Sequence, residues 1–82
     1  MITFADRLKE LRKERGLTQK DLAALIGFSE RGIQNYELEK NKPTSDALTK
    51  FADYFEVSTD YLLGRSTDPA RYGAVYADAV NR

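Results

Sequence analysis

A chain of 82 residues, with 13 Lys or Arg against 13 Asp or Glu and a 41% hydrophobic fraction, suits one small domain that buries only about 60% of its unfolded surface and needs a compact, local core. It contains no cysteine and no histidine, which removes disulfide staples, thiolate metal sites and most nucleophile, metal and cofactor schemes, and no apolar run approaches the ~20 residues that span a bilayer. These features predict a cytoplasmic binding protein with no cofactor, metal or evident small-molecule ligand, rather than an enzyme.

The first predicted helix opens at Thr3, with Asp6 three residues on as its capping-box partner, carries Phe4, Leu8 and Leu11 at i, i+4 and i+7, and ends at Gly16. Its other face, with Arg7, Lys9, Glu10, Lys13 and Glu14, reads as solvated surface of mixed sign. Thr18 and Asp21 signal a second helix whose apolar side is Leu22, Ala23, Leu25 and Ile26. Gly27 stops it, because glycine takes positive φ at no steric cost. Thr18 and Gln19 stand at the N-terminus of this helix, where free backbone N–H groups and the helix dipole favour an anion.

Phe28 turns inward, and Ser29 caps a third helix of roughly Glu30 to Leu38 in which only Ile33 and Tyr36 are apolar at helical spacing. Glu30, Arg31, Gln34 and Asn35 are left on the opposite side, facing solvent or a ligand. Gly32 in mid-helix costs about 1 kcal/mol relative to alanine. Pro43 then breaks the chain, and Thr44 caps a fourth helix with Ala47, Leu48, Phe51, Ala52 and Phe55 as its core face. After Val57, Ser58 caps a short fifth helix ending at Gly64, with Tyr61, Leu62 and Leu63 inside it. Beyond Arg65, Thr67 or Asp68 as N-cap, Pro69 at the first helical position, and Tyr72, Val75, Tyr76, Ala79 and Val80 predict a sixth amphipathic helix over 69–80 despite Gly73. At about twelve residues it is marginal alone, so it is expected to pack on its own domain or on a second subunit. The organisation is an all-α five-helix domain over 1–64 with a C-terminal helical extension over 65–82.

Ala23, Gly27, Phe28, Ile33 and Tyr36 fall on the diagnostic positions of a helix-turn-helix, and the segments LKELRKERGLTQKDLA, the Tyr36 and Glu37 pair, KNKP and FEVSTDYLLG follow in order. Over about residues 4 to 64 the chain thus resembles the XRE, or Cro/repressor-like, family of transcriptional regulators. The resemblance implies double-stranded DNA as partner, with Glu30, Arg31, Gln34 and Asn35 reading base edges in the major groove. Arg31 suits guanine N7 and O6, Gln34 or Asn35 suits adenine N6 and N7, and Glu30 suits a cytosine amino group. It further implies phosphate contacts from Thr18 and Gln19 and from Lys40, Asn41 and Lys42, a shielded Arg12–Glu37 ion pair, and structural places for Ala23, Gly27 and Ile33. The expected assembly is a homodimer through Tyr61, Leu62, Tyr72 and Tyr76, acting as a repressor on an inverted-repeat operator with half-sites about 34 Å apart.

Charge is polarised in the same sense. Nine basic residues stand against six acidic ones between Arg7 and Lys42, and four against six from Pro43 onward, so an electropositive front can steer toward phosphates in a neutral molecule. The chain departs from the family pattern at Leu38 and Glu39, where a polar residue and then glycine are usual. The helix end must therefore place Glu39 in a left-handed turn or run longer, and Leu38 cannot donate to a phosphate. Neutral charge, Leu38 and Glu30 also fit an alternative: a protein-interaction module of the same fold, an antitoxin or anti-repressor partner with weak DNA binding.

Overall fold

Five hydroxyl side chains set the helix starts. In the computed structural model, which describes residues 2–70, the side chains of Thr3, Thr18, Ser29, Thr44 and Ser58 accept from the N–H groups of Asp6, Asp21, Gly32, Ala47 and Tyr61, each satisfying a donor that the first helical turn leaves free. The helices that follow are α1 (Phe4–Glu14), α2 (Gln19–Ile26), α3 (Glu30–Glu37), α4 (Ser45–Phe55) and α5 (Thr59–Leu62). No helix among the described residues is long and apolar enough to cross a membrane.

The helix ends are set by left-handed residues. Gly27 takes φ 83° after α2, and its N–H and that of Phe28 both donate to the carbonyl of Ala23 at 2.9 Å, which swings Phe28 inward. After α3 the chain takes the first of the two routes open to it: Glu39 adopts φ 62°, and the Lys40 N–H reaches back to the Asn35 carbonyl at 2.9 Å. Glu56 does the same after α4, at φ 57°. At Gly64, φ is 75° and a Cβ would run into the carbonyl oxygen of Ile2, so only glycine lets the end of α5 close against the start of the chain.

Phe51 of α4, fully buried, is the centre of the core. Phe28, Phe4 and Tyr36 surround it at ring-centroid distances of 5.4, 5.8 and 5.8 Å, in the tilted and edge-to-face arrangements that aromatic quadrupoles favour. Leu8, Leu22, Ile33 and Leu62 are also fully buried, so every helix contributes a large apolar side chain to one core. α2 and α3 pack on each other, and α1 packs on both α3 and α5.

Three expectations are corrected. Leu25, assigned to the apolar side of α2, is 58% exposed, because at about 100° per residue it falls outside the arc that buries Leu22, Ala23 and Ile26. Arg7, assigned to solvated surface, is buried: its guanidinium lies over the Tyr61 ring at 3.9 Å and donates to the Tyr61 hydroxyl at 2.8 Å. Tyr61 and Leu62, assigned to a subunit contact, are instead core residues, Leu62 with no exposed surface, and they have nothing to offer a partner without opening α5. Of that assignment, Tyr72 and Tyr76 lie outside the described residues, as does the helix expected over 69–80 from residue 71 onward. Up to Ala70 the chain is tied to α5, with the Ser58 N–H donating to the Pro69 carbonyl at 3.0 Å and Asp68 Oδ1 accepting from the Ala70 N–H at 2.9 Å.

Candidate nucleic-acid interface

α3 buries one side and leaves the other without partners. Ile33 has no exposed surface, Tyr36 is half-buried in the aromatic cluster, and Glu37 is buried. On the far side Glu30, Arg31 and Gln34 are exposed and Asn35 is half-buried. Among the described residues none of these four side chains is engaged in a hydrogen bond or ion pair, whereas their chemistry supplies two amides, a guanidinium and a carboxylate within two helical turns. The structure thus brings the four together as one open polar face. Gly32 lies on the flank, where a Cβ would come within 3.1 Å of the capping hydroxyl of Ser29, closer than ordinary van der Waals contact.

The angle of α3 is held by a network at its far end. Arg12 of α1 donates from Nε to Glu37 Oε2 at 2.6 Å and from Nη2 to Oε1 at 3.0 Å, and its Nη1 donates to the Leu17 carbonyl at 2.7 Å. Gln19 Nε2 adds a fourth bond, to Glu37 Oε1 at 3.1 Å. Both ends of the Arg12–Glu37 pair are shielded, with side-chain exposures of 11% and 3%. The hydrogen bond that Arg12 donates to Glu37 raises the guanidinium pKa, desolvation opposes it, and the Glu37 charge adds to the rise, so Arg12 stays charged. One carboxylate therefore ties α1, α2 and α3 together at the root of the exposed face.

Thr18 and Gln19 open α2, with Thr18 exposed and Gln19 half-buried. Gln19 was expected to serve as a phosphate clamp; in the free chain its amide nitrogen is a strut to Glu37, with one of its N–H donors engaged there. Asp21 completes the cap by accepting from the Thr18 N–H at 3.0 Å. That bond, followed by the one from the Thr18 hydroxyl, holds its carboxyl below the ordinary 3.8. Lys40, Asn41 and Lys42 are exposed in the loop after α3, and the backbone N–H groups of Lys40 and Asn41 are folded onto the Asn35 carbonyl, which ties the start of this loop to the end of α3.

A concavity of about 810 Å³ lies where this loop meets α4 and is lined chiefly by Ile2, Phe4, Tyr36, Pro43, Leu48 and Leu63. It is an apolar groove without a gathered set of catalytic groups, and no cluster of three acidic residues among the described residues could hold a metal ion.

A family model described as helix-turn-helix matches residues 8–62. The transcriptional regulator ImmR of Bacillus subtilis is 39% identical over 64 residues, which are 78% of this chain and 50% of that one. Among solved structures, the P22 c2 repressor in complex with a synthetic operator has a TM-score of 0.74 at 24% identity, covering 80% of this chain and 100% of that one. A transcriptional regulator from Listeria innocua has a TM-score of 0.72 at 28% identity, covering 98% and 78%. These likenesses establish the all-α, repressor-like fold. The chain spans between 29% and 59% of the length of the curated relatives it matches, and half of ImmR.

Proposed function

The chain belongs to the helix-turn-helix family of the XRE, or Cro/repressor-like, type, and on that premise we propose that it is a sequence-specific double-stranded DNA-binding transcriptional regulator, a repressor acting in the cytoplasm as a homodimer. The observation that carries this reading is the open polar face of α3, with Glu30, Arg31, Gln34 and Asn35 unengaged while every apolar side chain of the helix is turned inward. In this reading α3 enters the major groove, and Arg31 forks onto a guanine while Asn35 or Gln34 pairs with an adenine. The N-terminus of α2 and the lysines of the 40–42 loop meet phosphates on either side. Gln19 stays within reach of a phosphate through its remaining amide N–H while it braces Glu37. The domain that reads DNA extends over 1–64, and 65–82 with Tyr72 and Tyr76 supplies the subunit contact that Tyr61 and Leu62 do not. Function is binding and not catalysis.

The ImmR relative is by name a transcriptional regulator and the P22 c2 neighbour was solved on an operator, both in keeping with this assignment. The deciding experiment is selection of bound duplexes from a random pool at moderate salt. An inverted repeat with fixed half-site spacing is expected. Arg31→Ala and Asn35→Ala should each weaken binding to it by about 1 to 3 kcal/mol, roughly fivefold to 150-fold, at unchanged melting temperature. Failure to enrich any sequence even at low salt overturns the reading. The exposed Leu25 of α2 favours a second reading, a protein-interaction module of the same fold, in which the double Arg31→Ala, Asn35→Ala variant keeps its partner.

A further inference from the structure

We infer that Leu38 is itself a sequence-reading residue, packing its isobutyl group against the C5-methyl of a thymine in each half-site; this rests on the DNA-reading assignment above. Leu38 caps α3 and donates its N–H to the Gln34 carbonyl at 2.9 Å. It follows Gln34 by one helical turn and Arg31 by two, so it stands in line with both on the open face.

The fold also leaves Leu38 uncovered. It is 57% exposed, because Glu39 turns left-handed at φ 62° and the N–H groups of Lys40 and Asn41 fold back onto Asn35. A leucine on a face otherwise made of amides and charges has no hydrogen bond to give. The one apolar group that base edges present in the major groove is the thymine methyl. Lys40 and Lys42, exposed on the same loop, supply the phosphate contacts that Leu38 cannot, which frees this position to discriminate.

The test uses the full chain and the duplex recovered by selection, with each thymine replaced in turn by deoxyuridine, which removes the methyl and keeps the pairing edge. One thymine per half-site should emerge at which the replacement weakens wild-type binding about fourfold, the worth of one buried methyl. Leu38→Ala should bind more weakly to the thymine duplex and be indifferent to the replacement, and Leu38→Met should restore the sensitivity. Arg31→Ala should keep it. If a duplex is selected but no thymine methyl matters, or if Leu38→Ala remains equally sensitive, Leu38 is not a base reader and its exposure belongs to a protein contact. If no duplex is selected at all, the DNA-reading assignment has failed first and this inference falls with it. Since Leu38 is exposed, matching melting curves for all variants confirm that binding alone has changed.

Discussion

Glu37 is 6% exposed yet accepts three side-chain hydrogen bonds, two from Arg12 and one from Gln19. A carboxylate so enclosed holds its geometry only while its partners are in place, and the partners depend equally on it. Glu37→Gln keeps the shape but leaves the Arg12 cation shielded and uncompensated, a class of change that costs about 3 to 5 kcal/mol. Urea unfolding should show that loss in the midpoint, and a cost below about 1 kcal/mol would mean that the pair is not effectively buried. Gln19→Ala removes one neutral donor and should cost only about 1 kcal/mol. The raised Arg12 pKa, due first to its hydrogen bond with Glu37, adds stability that is fully present below the guanidinium's ordinary value and fades only as pH rises through the higher folded value, beyond any working buffer. The pair was visible in the sequence only through family resemblance, since 25 positions separate its members. Arg7 had no such help: its partner Tyr61 lies 54 positions away, and in a row of mixed charges one buried arginine looks like its solvated neighbours. Packing decides that difference, and local pattern carries no trace of it.

The elements were more legible than their side-chain partners because caps and stops act within three or four residues. All five helix starts follow from Thr or Ser read in place, while Leu25 was misplaced because α2 is only eight residues long and one turn of ambiguity covers half its face. Two of the starts are capping boxes, in which Asp6 and Asp21 accept from the N–H of Thr3 and Thr18. Those backbone bonds first, and the Thr hydroxyls second, lower both carboxyl pKa values from 3.8. A folded pKa below the unfolded one gives stability that is present above the ordinary carboxylate value and is lost as pH falls through the folded value. Asp6→Asn and Asp21→Asn should therefore flatten the fall of melting temperature on acidification below about pH 4 and matter least in the most acidic buffers. An unchanged slope would show that the boxes do not form in solution. The left-handed ends make a prediction of the opposite sign. Glu39 and Glu56 hold positive φ without being glycine, at a cost of about 1 to 2 kcal/mol, part of which glycine returns through its greater unfolded freedom. Glu56→Gly should raise the melting temperature by a few degrees, the shift expected in a domain of this size for about 0.5 to 1 kcal/mol. Glu39→Gly should do the same and leave the face of α3 intact.

At the scale of the whole molecule, neutrality and the proposed DNA binding have to be reconciled, since 13 positive charges meet 13 negative ones. Position reconciles them: basic residues are in surplus from Arg7 to Lys42, and of these Arg12 is committed to Glu37 while Lys40 and Lys42 are exposed on the loop beside α3. Each lysine that neutralises a phosphate releases about 0.9 counterion, so a dimer with two such lysines per subunit should show log K falling with log salt at a slope of about −3 to −4, shallow for a regulator. Replacing Lys40 or Lys42 by Gln should reduce that slope by about 2 per dimer and weaken all duplexes alike. Arg31→Ala should instead change which base is preferred. The two responses separate holding from reading, and they do so through side chains only a few positions apart in the chain. A wild-type slope much steeper than −4 would place further cations on phosphates, with Arg31, Lys20 and Arg15, all exposed, as the next to replace. A slope near zero would leave a neutral molecule with no electrostatic hold on DNA, and the open face of α3 would then have to meet a protein.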